Sequence, residues 1–147
     1  MATDPIELQI VTPERHVLQE TVESVEVPGK EGYMGILPGH APLITELGIG
    51  VLSYRKGSVT RFLTVINGYA EALPHRVIVL ADTAERAEEI DVERTRRARE
   101  RAQSELAKAS AGGEDWQHAE RALQRALVRL QAASKAGAPG AGEASHA

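Results

Sequence analysis

Arginine spacing carries most of the chemistry this sequence could do. Arg94, Arg97 and Arg101 recur at steps of three and four, and Arg121, Arg125 and Arg129 at steps of four. At about 100° per residue each trio falls along one ridge of a helix. Like charges at i, i+4 destabilise a helix by about 0.2–0.5 kcal/mol per pair. No Asp or Glu lies between Arg121 and Ala136 to relieve the second ridge. Guanidinium forks repeated in this way suit an anion, either phosphates or an acidic protein surface. A solvated charged face is the competing reading of the same spacing. Glu93 and Arg97 read as an ordinary i, i+4 pair.

Other chemistries find less support. His16, His40, His75, His118 and His146 are scattered without ligand spacing, which argues against a metal site. The chain has no cysteine, so disulfides and thiolate ligands are excluded and a cytosolic compartment is compatible. Nothing matches a nucleophile elbow, a catalytic triad or paired carboxylates, and the chain is not expected to be an enzyme by itself. The glycines of residues 29–39 lack the Gly-Lys-Ser/Thr ending of a phosphate loop. They read as backbone turns forming a rim, either a plain connection or a contact surface.

The texture of the chain breaks near Ala84. Eight glycines and six prolines punctuate short β-branched stretches before it, while Ala, Arg, Glu and Leu dominate after it, with Gly112-Gly113 the only interruption before Gly137. The first text suits strands and the second suits long helices. Ile6, Leu8 and Ile10 alternate with polar residues as in a half-buried strand. Residues 21–27 repeat the pattern, with Val22 out of phase as at a bulge. Residues 28–42 read as a structured loop region with one short strand near Ile36-Leu37. Strands are expected over 50–55 and 59–66. Asn67-Gly68 signals a hairpin into 69–73, and 76–82, apolar at both parities, reads as an interior strand.

Asp91 is the expected N-cap of a first helix with Glu93 in its first turn. Thr95, Ala98, Ala102, Leu106 and Ala109 form its seam, and Gly112-Gly113 ends it. Trp116, Ala119, Leu123, Ala126, Leu130 and Ala133 form the heptad-like stripe of a second helix. The expected fold is therefore α+β, an antiparallel β-sandwich over residues 1–84 followed by an antiparallel two-helix hairpin over 85–135. Residues 136–147 are expected to be a disordered tail.

Charge bounds the partners. Residues 1–83 carry six Lys/Arg against ten Asp/Glu, and residues 84–136 eleven against ten. That is not the basic surplus of a nucleic-acid binder. No apolar run approaches the roughly 20 residues of a membrane span, and the start of the chain shows no secretory pattern.

The order of these pieces resembles the ε subunit family of F-type ATP synthases, called δ in mitochondria, over residues 6–135. The most specific stretches are GYMGILPGHAPL at 32–43, RVIVLADTAERAEEID at 76–91 and ALQRALVRL at 122–130. The resemblance implies a rotor subunit of a complex that couples proton flow to ATP synthesis. It implies a sandwich bound to the γ subunit and a rim resting on the c-ring, with Lys30, Glu31, Gly32 and His40 at that interface. It further implies a hairpin that folds on the sandwich or extends toward the catalytic α and β subunits to inhibit ATP hydrolysis. The setting implied is peripheral, on the cytoplasmic face of a bacterial inner membrane, held there by other chains. ATP is implied as a regulatory ligand, with no cofactor required. Glu85, Ile90, Asp91, Arg94, Arg101, Arg125 and Arg129 match the family's ligand-contacting positions. Its IDxxRA motif reads here Ile90-Asp91-Val92-Glu93-Arg94-Thr95, so a β-branched polar residue replaces the final Ala. The alternative is a stand-alone sandwich adaptor whose basic hairpin grips an acidic protein or nucleic acid.

Overall fold

The structure, a computed structural model, describes residues 5–137. Among them seven strands form one sheet: β1 (Ile6–Val11), β2 (His16–Val22), β3 (Ser24–Gly29), β4 (Gly32–Ile36), β5 (Leu43–Lys56), β6 (Val59–Leu73) and β7 (Arg76–Arg86). A 3-10 turn at Ala87–Glu89 leads into helices α1 (Val92–Lys108) and α2 (Glu114–Gly137). The hydrogen-bonded order is β2-β1-β7-β6-β5-β3-β4. Every pairing is antiparallel except β1 with β7, which run parallel.

The sheet curls on itself. β2 touches β5 although three strands lie between them in the order, and Lys56 Nζ meets Glu20 Oε2 at 2.7 Å across the join. The enclosed core is aliphatic, with Ile6, Leu8, Ile10, Val27, Leu52, Val65, Val77 and Val79 fully buried. Each such side chain contributes about 1.5–3 kcal/mol. The single Phe leaves β-branched and leucine side chains to fill the space. This is the α+β sandwich-and-hairpin architecture that the pattern predicts.

Several local expectations are corrected. The run 21–27 is two strands, because the chain breaks at Glu23 as it passes from pairing with β1 to pairing with β5. Val22 is out of phase because it ends one strand while Val25 and Val27 belong to the next. Residues 28–42 contain the turn and second strand of a hairpin: Gly29 pairs with Gly32 around Lys30-Glu31, and Gly32 adopts φ 138°. The short strand there is β4, which ends at Ile36. β5 also begins earlier than expected, at Leu43.

Asn67-Gly68 is not a hairpin. Both residues have positive φ, 56° and 121°, yet they lie inside β6, and the register to both neighbours is the same on either side. What changes is the facing. Leu63 and Val65 point into the core before the pair, Ala70 and Ala72 after it. β5 switches parity between Leu47 and Leu52, and β7 between Ala81 and Ala84. The three strands thus turn over together along one line. A Cβ at Gly68 would overlap the Leu80 carbonyl oxygen, so only glycine fits there.

The boundary at Ala84 also moves. Arg86 still pairs with Leu63 and Glu85 with Thr64, so β7 runs past the compositional break. Strand pairing overrides the change in texture. At the other end α2 includes Ala136 and Gly137, which the tail was expected to contain. The rest of the tail lies outside the described residues.

The hairpin is folded against the sandwich. Val128 and Ala132 of α2 pack with Val51, Ala87 and Ile90, and Phe62, Ala133 and Ala136 border the cluster. Lys135 Nζ stands 6.0 Å from the Phe62 ring centre. Ala102, Ala119 and Ala126 are buried where the helices meet, so the seam is close but thin.

Candidate functional site

A cleft of about 510 Å³ opens where the strap between β7 and α1 faces both helices. It is lined by Glu85, Glu89, Asp91, Arg94, Thr95, Arg97, Ala98, Arg101 and Arg129. Four guanidinium groups thus converge with three carboxylates. An adjoining cleft of about 330 Å³ shares Arg101 and Arg129 and adds Glu105, His118 and Arg125. The fold places each group for a local reason. Asp91 is the N-cap of α1, its side chain accepting from the Arg94 amide at 3.1 Å, so Arg94 sits in the first turn. One and two turns on, Arg97, Ala98 and Arg101 follow at helical spacing on the same side. Arg129 arrives from α2, running antiparallel.

Five of the seven residues matched to nucleotide contacts therefore line one cleft: Glu85, Asp91, Arg94, Arg101 and Arg129. Arg125 lines its extension. Ile90 is buried in the small cluster with Val128 and positions the strap rather than lining the cleft. Glu89 and Arg97 are cleft residues that the motif misses. Arg97 belongs to the arginine ridge but is expected to pair with Glu93. In the structure Arg96 takes that carboxylate at 2.8 Å, and Arg97 is left to the cleft. Glu89 carries no sequence signal, because its place depends on the 3-10 turn.

The second ridge does find relief, from outside its own helix. Arg129 Nε donates to Glu85 Oε1 at 2.9 Å, joining α2 to β7. Thr95, the departure from the motif, is nearly buried. Its hydroxyl donates to the Asp91 carbonyl at 2.8 Å and is turned back into the helix. That bond satisfies the hydroxyl inside α1.

Another cleft, of about 660 Å³, lies behind the strap between Arg15, Tyr54, Arg61, Arg86 and Glu88. Arg86 donates to the Val17 carbonyl at 2.9 Å, while Glu89 and Glu88 face Arg15 and Arg61 at 3.7 and 3.8 Å. Burial, reinforced by the nearby Glu20 charge, holds the Tyr54 hydroxyl above its usual pKa of 10.0.

The rim residues occupy two separate turns. Lys30, Glu31 and Gly32 form the exposed tip of the β3–β4 hairpin, where Lys30 Nζ meets Glu46 Oε2 at 3.1 Å. His40 lies in the loop before β5. Its amide donates to the Leu37 carbonyl at 3.2 Å, and Gly39 beside it donates to Pro74 at 2.7 Å. The Lys30 tip and the His40 loop are joined through β5, with no bond between them among the described contacts.

The outer face of the sheet is a further feature. Leu80 and Tyr69 are directly opposed on β7 and β6 and are 56% and 55% exposed, with Ile44 on β5 at 68%. Residues 76–82 are apolar at both parities for this reason. β7 is interior to the hydrogen-bonded order, Val77, Val79 and Ala81 face the core, and Leu80 faces out. Tyr69 and Leu80 thus form an exposed apolar pair, with Ile44 on the same face of the sheet. No described helix is long and apolar enough to cross a membrane.

Comparison with known proteins separates the same two parts. Residues 5–87 match the family described as the ATP synthase delta/epsilon chain beta-sandwich domain, and residues 88–134 the long alpha-helix domain of the same chain. The chain belongs to the ATP synthase delta/epsilon family. The ATP synthase epsilon chain of Moorella thermoacetica is 52% identical over 129 residues, covering 87% of this chain and 96% of that one. That of Solibacter usitatus is 49% identical over 132 residues, covering 90% and 98%. Among solved structures, a chain of the Euglena gracilis mitochondrial ATP synthase matches with TM-score 0.76 at 26% identity. It covers 89% of this chain and 82% of that one. Both family domains are thus present in order, and the chain is an ε subunit of F-type ATP synthase, a component of that complex.

Proposed function

We propose that this ε subunit is a non-catalytic rotor part whose folded hairpin senses ATP. The observation that carries the reading is convergence. Arg94 and Arg101 from α1, Arg129 from α2, Glu85 from β7 and the Asp91 cap meet in one cleft only because the hairpin lies on the sandwich. Guanidinium forks suit phosphate oxygens. A ligand that fills this cleft stabilises the folded arrangement by mass action, about 2.7 kcal/mol at a hundredfold excess over Kd. Arg125 extends the cationic end that takes the phosphates, and Ile90 and Asp91 hold the strap that forms the wall. ATP is then a regulatory ligand, and no cofactor is needed for the chain to act.

The exposed face around Tyr69, Leu80 and Ile44 is the proposed seat of the γ subunit. The turn of Lys30, Glu31 and Gly32 and the loop of His40 are the proposed contacts to γ and the c-ring. When the hairpin opens, the same arginines meet acidic surface on the catalytic subunits and slow ATP hydrolysis. The complex couples proton movement to ATP synthesis, and the subunit is held peripherally at the cytoplasmic face of a bacterial membrane by its partners. Compatible charge and burial favour this over a free adaptor. The sandwich carries a net negative charge and an apolar face, which fits a protein partner better than a polyanion.

Reconstitution into the synthase tests the reading. Arg125→Ala and Arg129→Ala should weaken both ATP binding by the subunit and its inhibition of hydrolysis. Full inhibition with unchanged ATP affinity in both variants would overturn it.

A further inference from the structure

The Glu85–Arg129 pair has a place that no other contact shares. Among the described residues it is the only ion pair that joins a helix of the hairpin to a strand of the sandwich. It also lies in the lining of the arginine cleft. One carboxylate oxygen therefore occupies the α2 guanidinium that an incoming phosphate would use. The contact is single, Nε to Oε1 at 2.9 Å, whereas a phosphate can take the fork in pairs.

We propose that Glu85 is an internal counter-ion of the cleft, a latch that holds the empty hairpin folded and that an anionic ligand must displace. The proposal rests on the reading of the cleft as a nucleotide site. Charge in the cleft supports it. Glu85, Glu89 and Asp91 share the lining with Arg94, Arg97, Arg101 and Arg129, an excess of one positive charge, and removing the Glu85 charge raises the excess to two. A polyphosphate that keeps Glu85 beside it meets a carboxylate at the atom it needs. One that displaces Glu85 inherits Arg129 and takes over the tie between α2 and the strap. The latch sets a threshold: the hairpin is held loosely by Glu85 at low ligand and firmly by phosphate above it.

Two effects of Glu85→Gln oppose each other and have to be separated. Loss of the latch opens the hairpin and lowers apparent affinity, while loss of the competitor raises intrinsic affinity. The chain has no cysteine, and Ser53 and Gln131 line one small cleft between β5 and α2. The Ser53→Cys/Gln131→Cys protein bridged by a short bismaleimide fixes the full chain in the folded form. In the bridged protein Glu85→Gln should tighten tripolyphosphate and ATP binding roughly threefold, in line with the small energies of half-exposed pairs. Without the bridge, and without ligand, Glu85→Gln should slow the cross-linking. Glu89→Gln is the control, since Glu89 lines the same cleft but faces Arg15. An equal gain from Glu89→Gln, or no gain from Glu85→Gln in bridged protein that binds, overturns the latch alone. Bridged protein with native residues at 85 and 89 that binds neither tripolyphosphate nor ATP overturns the nucleotide reading, and the latch with it.

Discussion

Val128→Ala should release the hairpin while leaving the sandwich intact. Val128 is the only branched aliphatic side chain that α2 contributes to the small cluster, where its other members are Ala132, Ala133 and Ala136. Truncation to Ala removes two buried methyl groups at about 0.8 kcal/mol each and leaves part of their volume empty. The loss is about 2 kcal/mol. If docking alone bears it, the ratio of folded to open hairpin falls roughly thirtyfold. The sandwich core does not include Val128, so its own unfolding should be unchanged. Cross-linking between Ser53→Cys and Gln131→Cys reports docking, and the near-ultraviolet circular dichroism of the tyrosines in denaturant reports the sandwich. Slower cross-linking with the same denaturation midpoint is the expected pair of results. Unchanged cross-linking, or a comparable loss of sandwich stability, would refute the claim that a small separate cluster holds the hairpin down.

Gly68→Ala should destabilise the whole sandwich by about 3 kcal/mol, because φ 121° and the Leu80 carbonyl both oppose a Cβ. A midpoint in denaturant matching the parent protein would contradict the turnover of strands described at that line. Leu80→Glu should leave stability within about 0.5 kcal/mol, since the side chain is exposed, but should abolish co-purification with γ. Retained γ binding would move the docking face elsewhere. Tyr54 gives a pH signature. Its folded pKa lies above 10.0, so the unfolded chain ionises first and stability falls as pH rises above about 10. Tyr54→Phe should flatten that fall, measured by denaturant unfolding from pH 9 to about 11.

Long-period patterns make the architecture legible in the sequence. The alternation of Ile6, Leu8 and Ile10 and the buried Ala119 and Ala126 of the α2 stripe depend on neighbours along the chain and stand as expected, whereas Val128 and Ala132, buried against the sandwich, lie off that stripe. The Asp91 cap was legible for the same reason. Asn67-Gly68 was not, because the dipeptide signals positive φ without saying whether the chain reverses or turns a strand over in place. That choice is made by the flanking strands β5 and β7, which turn at the same level. The strand end at Arg86 was hidden similarly, since Glu85 and Arg86 look helical in composition and are held by pairing with β6. The arginine ridges point to an anion, but spacing says nothing of Glu85, which β7 carries and only the resemblance names, or of Glu89, which the 3-10 turn brings to the cleft. Side chains brought together across elements leave no spacing to read. The doubly apolar run at 76–82 includes the exposed Leu80, which an interior strand explains only in part.

Titration of the full chain with ATP, followed by calorimetry, tests the central claim most directly. The account predicts one saturable site per chain that is lost when Arg94 and Arg129 are both replaced by Ala. It also predicts that ATP speeds cross-linking between positions 53 and 131 as the hairpin is drawn down. Heat that never saturates up to millimolar ATP, or saturable binding that leaves the double variant unaffected, would contradict it.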